Sequence, residues 1–100
     1  MQFLIIAHDG KDSEAATRRA NARPGHLECV RKFKAEGKHL YGGALLDESG
    51  NMIGSMMVVD FPSREELDEW LRDEPYVTGG VWQEIEVRPF RVAEIFSVDN

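Results

Sequence analysis

An α+β domain built on a four-stranded, largely antiparallel sheet with helices on one face is the fold class this chain predicts, and three observations carry it. Apolar strand-like runs and helical runs follow one another in the order βαββαβ. The two middle strands are joined by the turn cluster Asp47-Glu48-Ser49-Gly50-Asn51, as in a hairpin. The length of 100 residues suits one domain over 1–100 with a single modest core.

Each element follows from local pattern. Phe3-Leu4-Ile5-Ile6-Ala7 is a short apolar strand ended by Asp9-Gly10. Asp12 or Ser13 can cap a brief helix from Glu14 to about Ala22, which Pro24 is expected to cut off. A second helical segment then opens at Arg23-Pro24-Gly25-His26-Leu27, since proline suits a first helical position. Leu27, Val30 and Phe33 recur at helical spacing, and Gly37 stops the segment after Glu36. Strands follow over about His39 to Leu46 and Met52 to Asp60. Ser63 and Glu66 read as a capping box for a helix through Leu67, Trp70 and Leu71. Asp73-Glu74-Pro75-Tyr76 breaks it, Gly79-Gly80 marks a loop, and a last strand runs from Val81, interrupted at Pro89, toward Phe96.

Right-handed crossovers place the first and third strands in the centre, which is the ferredoxin-like arrangement. Leu4 to Ile6 and Met56 to Val59 are consecutive apolar residues, so both faces of the central strands read as buried. Helices can cover only one of them. The simplest cover for the other is the sheet of a second copy, which predicts a homodimer. In the last strand Val81, Gln83, Ile85 and Val87 alternate with Trp82, Glu84, Glu86 and Arg88, as at an edge or a pocket rim.

Composition excludes several classes. A net charge of −6, spread along the chain, argues against nucleic-acid or anionic-membrane binding, both of which want a basic face. No apolar run approaches a membrane span, and Phe3 to Ala7 lacks the basic start and length of a signal peptide. Cys29, the only cysteine, excludes an internal disulfide and fits a cytoplasmic location. His8, Asp9, His39 and Cys29 show no metal-ligand spacing, so no structural metal is expected. Nor does the chain hold a phosphate loop, a serine elbow or any feature that calls for a cofactor.

His26 leads the candidates for chemistry. At a helix N-terminus, free amide dipoles would favour the neutral imidazole that a general base requires. A carboxylate from Asp73 or Glu74 could orient such a histidine and stabilise its cation after proton transfer. Gly42 and Gly43, unusual inside a strand, allow either a close backbone approach to a ligand or a tight bend over a bulky residue such as Trp70. Tyr41, Tyr76 and Trp82 could stack on an aromatic substrate, and Arg19 and Arg23 could bind an anionic group. The bland alternatives are aromatics that fill the core and arginines that face water.

Taken in order, the opening strand, Arg23-Pro24-Gly25-His26-Leu27, Glu36-Gly37-Lys38, Gly42-Gly43, Gly54-Ser55, Pro75-Tyr76 with Gly80-Val81, and Val87-Arg88-Pro89-Phe90 resemble the YciI-like (YCII-related) family over nearly the whole chain. The resemblance implies a ferredoxin-like fold that dimerises as an α/β barrel. It also implies an active site of a histidine and an aspartate, corresponding to His26 and the acidic residue before Pro75. Some relatives are dehydrochlorinases of hydroxylated chloroaromatics, whereas most have no assigned reaction. This chain departs from the usual Asp-Pro by having Glu74-Pro75 with Asp73 one residue earlier, so either acid can serve. The expected function is cofactor-independent lyase or isomerase chemistry on a small organic substrate, with His26 as base, Glu74 or Asp73 as its partner, and Arg23, Gly42, Gly43 and Tyr76 around the substrate. The competing expectation is a non-catalytic ligand-binding or assembly module of the same fold.

Overall fold

The computed structural model describes residues 1–96. Strand β1 (Gln2–Asp9) leads into helix α1 (Ala15–Ala35) and then the hairpin of β2 (His39–Leu46) and β3 (Met52–Asp60). Helix α2 (Arg64–Asp73), a single helical turn α3 (Pro75–Thr78) and strand β4 (Trp82–Phe90) complete the order. The sheet runs β2-β3-β1-β4 with every pairing antiparallel, so β1 and β3 are central. This is the ferredoxin-like α+β fold with the helices on one face.

The two-residue period of a strand sorts the side chains. Phe3, Ile5 and Ala7 are buried toward the helices, opposite Val59, Met57 and Ser55. With Phe61, Leu67, Leu71, Tyr76 and Trp82 they make the apolar core. Leu4, Ile6 and His8 point the other way, flanked by Val58, Met56 and Gly54 on β3 and by Arg88, Glu86 and Glu84 on β4. Leu4, Ile6 and Met56 are only half-buried there. The open face thus grades from apolar in the centre to charged along one edge.

The break expected at Pro24 does not occur. α1 is one helix of 21 residues with Pro24 inside it, so His26 is its twelfth residue and stands nowhere near a helix N-terminus. The amide dipoles of a helix N-terminus therefore do not act on His26, contrary to expectation. An interior proline costs a helix about 3 kcal/mol through a lost hydrogen bond and a clash. Two anchors offset that cost: Arg19 and His26, seven residues or about two turns apart, are both buried and held by side chains from other elements. With each half fixed by other elements, the helix continues past Pro24. At the far end Lys38 N–H bonds the Phe33 carbonyl at 2.9 Å and Gly37 N–H that of Lys34 at 3.0 Å, with Gly37 at φ +77°. That is a Schellman stop, and it needs glycine.

Further along, the Asp47 carboxylate accepts the N–H groups of Ser49 and Asn51, both at 2.9 Å, and closes the hairpin turn. Ser63 Oγ accepts the Glu66 N–H at 3.1 Å, the Ser63 half of the capping box. The segment expected to be a plain break at Pro75 instead folds into α3, because Glu74 caps it and Pro75 takes the first helical position. The last strand starts at Trp82, passes through Pro89 and ends at Phe90. β4 pairs only with β1, and an edge strand tolerates a residue without an N–H. Beyond it, Glu94–Phe96 form a 3-10 turn, not more strand.

Candidate active site

α1 and α3 bring the site together. His26 is buried, its side chain 11% exposed, and Nδ1 is hydrogen-bonded to Glu74 Oε1. Glu74 is held in turn: its other oxygen, Oε2, accepts the backbone N–H of Tyr76, the N-cap bond of α3. One carboxylate therefore starts a helical turn and orients a histidine. The Tyr76 ring stacks on the imidazole with centroids 4.0 Å apart, and Trp82 meets the same ring edge-on at 6.0 Å. Burial raises the Tyr76 phenol pKa. With a carboxylate on Nδ1, that nitrogen carries the proton of the neutral ring, and Nε2 is left with its lone pair. Nε2 bonds no described residue and is not sealed from solvent.

A cleft of about 310 Å³ opens beside the imidazole, between α1 and β2. α1 contributes Arg19, Arg23, His26, Leu27, Val30 and Lys34 to its wall. β2 contributes His39, Leu40 and Tyr41 and then a stretch of little bulk, Gly42-Gly43-Ala44. A Cβ on Gly42 would lie 3.1 Å from both His39 Nε2 and the Met56 carbonyl, whereas one on Gly43 would meet nothing within 4 Å. Gly42 thus makes room for His39, and Trp70 is not the crowding group. His39 is buried with Nδ1 unpartnered among the described residues, and its pKa is pushed down, first by burial and then by the nearby His26.

Of the remaining candidates, Asp73 is exposed at the end of α2, and the carboxylate on His26 is that of Glu74. Arg23 and Tyr41 are exposed at the cleft, Tyr76 is a core residue that also lines it, and Trp82 is a core residue only. Arg19 is engaged elsewhere. Its Nη1 bonds both Asp9 oxygens at 3.0 Å and its Nη2 bonds Ser55 Oγ at 3.1 Å, the hydroxyl that also accepts from Trp82 Nε1 at 3.2 Å. Sequence reasoning missed this network and His39. Asp9 and Ser55 lie on neighbouring strands, with only the alternation of a polar residue into a buried register to mark them. Among the described residues, no group of three or more His, Cys, Asp or Glu side chains is placed to hold a metal ion.

A ferredoxin-like domain with a buried histidine–glutamate pair beneath a small cleft is the class of protein these features define. The chain belongs to the YCII-related domain family, whose model matches residues 1–91. It is 31% identical over 97 residues to Protein YciI of Escherichia coli O6:H1, covering 91% of this chain and 97% of that one. Among solved structures it resembles 5-chloro-2-hydroxyhydroquinone dehydrochlorinase (TftG) from Burkholderia phenoliruptrix AC1100, in complex with 2,5-dihydroxybenzoquinone. The TM-score is 0.80 at 24% identity over 95% of this chain and 98% of that one. An antibiotic biosynthesis monooxygenase shares the fold more loosely, with a TM-score of 0.52 at 19% identity over 93% and 99% of the two chains.

Proposed function

We propose that this protein is a cofactor-independent enzyme that removes a proton from a small organic substrate, with His26 as general base. One observation carries the reading: Glu74 takes Nδ1 of a buried imidazole whose Nε2 is left free beside a cleft. In the proposed step, Nε2 accepts a proton from an acidic C–H or phenolic O–H of the bound molecule. Glu74 keeps the ring in the accepting tautomer and stabilises the imidazolium that forms. The electron pair left on the substrate then drives elimination or isomerisation. In a dehydrochlorination it expels chloride with the electrons of the C–Cl bond, and the similar TftG, named as a dehydrochlorinase, supports that version. Gly42, Gly43, Arg23 and Tyr76 are the proposed surroundings of the substrate.

The test is a metabolite screen by thermal shift, since any ligand of the folded state raises its melting temperature. Stabilising compounds are then followed for turnover or for solvent-deuterium uptake by wild type, His26→Ala and Glu74→Gln. Loss of at least about 100-fold in His26→Ala is expected, the usual scale of a general base. Equal rates in wild type and His26→Ala would overturn the reading. Stabilisation without turnover of any hit would make the protein a ligand-binding module, a reading favoured by how little of His26 reaches the surface.

We further propose that two copies pair through the open sheet face. Leu4, Ile6 and Met56 supply a half-buried apolar centre on the sheet face away from the helices. Sedimentation at micromolar concentration should give twice the chain mass of 11.3 kDa, and a monomer would contradict the proposal.

A further inference from the structure

The protein is acidic overall, with net charge −6, yet among the described residues no carboxylate lines the cleft beside His26. Asp9 and Glu74, the partners of Arg19 and His26, are not part of its wall. One wall of it is a stripe along α1, Arg19, Arg23, His26, Leu27, Val30 and Lys34, at the three- and four-residue steps that keep side chains on one helix face. Arg23 and Lys34 form no ion pair with any described residue. Arg19, one turn before Arg23, is buried and its Nε–H has no partner among the described residues. Unpaired donors of that kind are costly unless something else meets them. Leu27 and Val30 follow on the same stripe, and Met57 of β3 lines the same cleft.

We infer that the cleft takes a small organic anion, with a carboxylate or equivalent acidic group at Arg23 and an apolar body lying along Leu27 and Val30 toward Met57. The inference rests on this cleft being the ligand site, but not on His26 transferring a proton. A planar guanidinium at the mouth matches a carboxylate with paired hydrogen bonds. Arg23 lies three residues before His26, so an anion held there leaves the adjoining carbon skeleton next to the imidazole. Lys34, eight residues or about 12 Å beyond His26 along the helix, adds attraction at the other rim without reaching the same group. The carboxylates elsewhere on the chain would repel such a ligand, so this positive cleft is the surface that draws it in.

The experiment uses benzoate and its neutral isostere benzamide, titrated into the full chain by ligand-observed NMR or calorimetry. Benzoate should bind at least about fivefold more tightly than benzamide, and its affinity should fall between about 20 and about 300 mM sodium chloride. Arg23→Gln, a change at an exposed position that leaves the core intact, should remove most of that preference. Benzamide binding as well as benzoate, or benzoate binding unaffected by Arg23→Gln, would overturn the inference. Because the readout is binding, it is separate from any failure of His26 as a base.

Discussion

Two buried polar pairs hang from the same helix two turns apart, and they are built to opposite ends. At Arg19 the pair is largely closed: Asp9 takes Nη1 of the guanidinium and Ser55 takes Nη2, Trp82 shares the hydroxyl, and the buried Nε–H alone is without a partner among the described residues. At His26 the pair is open: Glu74 takes one ring nitrogen and leaves the other beside the cleft. Both bury charge-capable groups under the sheet's covered face, where desolvation makes each partner necessary to the other. The difference lies in what is left over. The Arg19 pair spends nearly all of its hydrogen-bonding capacity on the fold, whereas the His26 pair keeps one ring nitrogen free in a fixed direction.

The largest effect on stability is expected from Asp9→Ala. It leaves Arg19 buried and uncompensated, and urea denaturation should show a loss of about 3–5 kcal/mol. Glu74→Gln should cost clearly less, because the amide keeps the volume and can still meet both Tyr76 N–H and His26, while ligand turnover drops. Equal stability losses from the two variants would erase the distinction. A smaller effect is expected from Ser55→Ala, about 1–3 kcal/mol, since Arg19 Nη2 and Trp82 Nε1 both lose their acceptor. A cost near zero would mean that water replaces the hydroxyl.

The smallest effect separates His39 from both pairs. Its folded pKa lies below the ordinary 6.5. Below pH 6.5 the unfolded chain therefore takes up a proton that the folded chain resists. This contribution to stability is full above pH 6.5 and is lost as pH falls through 6.5 toward the lower folded value. The carboxylates of Asp12 and Asp47, lowered from 3.8 chiefly by hydrogen bonds from Arg18 and from the backbone of Asn51, lose theirs only below 3.8. Urea midpoints of wild type against His39→Leu between pH 8 and pH 5 should diverge below about 6.5, with the variant flatter. Parallel curves would show that His39 does not resist protonation.

The sheet was legible because its signals are local: apolar runs in β1 and β3, Asp47 to Asn51 at the turn, Ser63 before α2. Helix α1 was not, since what carries it past Pro24 is supplied by Asp9, Ser55 and Glu74, away in sequence. α3 was missed for a different reason. Glu-Pro reads equally as the end of one helix and as the cap and first residue of the next, and Glu74 is both. At the site, His26 and the acidic pair before Pro75 stood out in the sequence, and the choice between Asp73 and Glu74 needed the geometry of the turn. Asp9, Ser55 and His39 gave no local signal, because a polar residue in a buried register acquires meaning only from its neighbours across the sheet.

The claim that matters most is that Glu74 fixes His26 with Nδ1 protonated and Nε2 bare. Nitrogen-15 NMR of the histidine rings reads the tautomer directly. In the neutral ring of wild type, His26 should show the proton on Nδ1, with that proton shifted downfield by its carboxylate, and Glu74→Gln should weaken the preference and the shift. Asp73→Asn should leave both as they are. A His26 ring with its proton on Nε2, or one that ignores Glu74→Gln, would contradict the account.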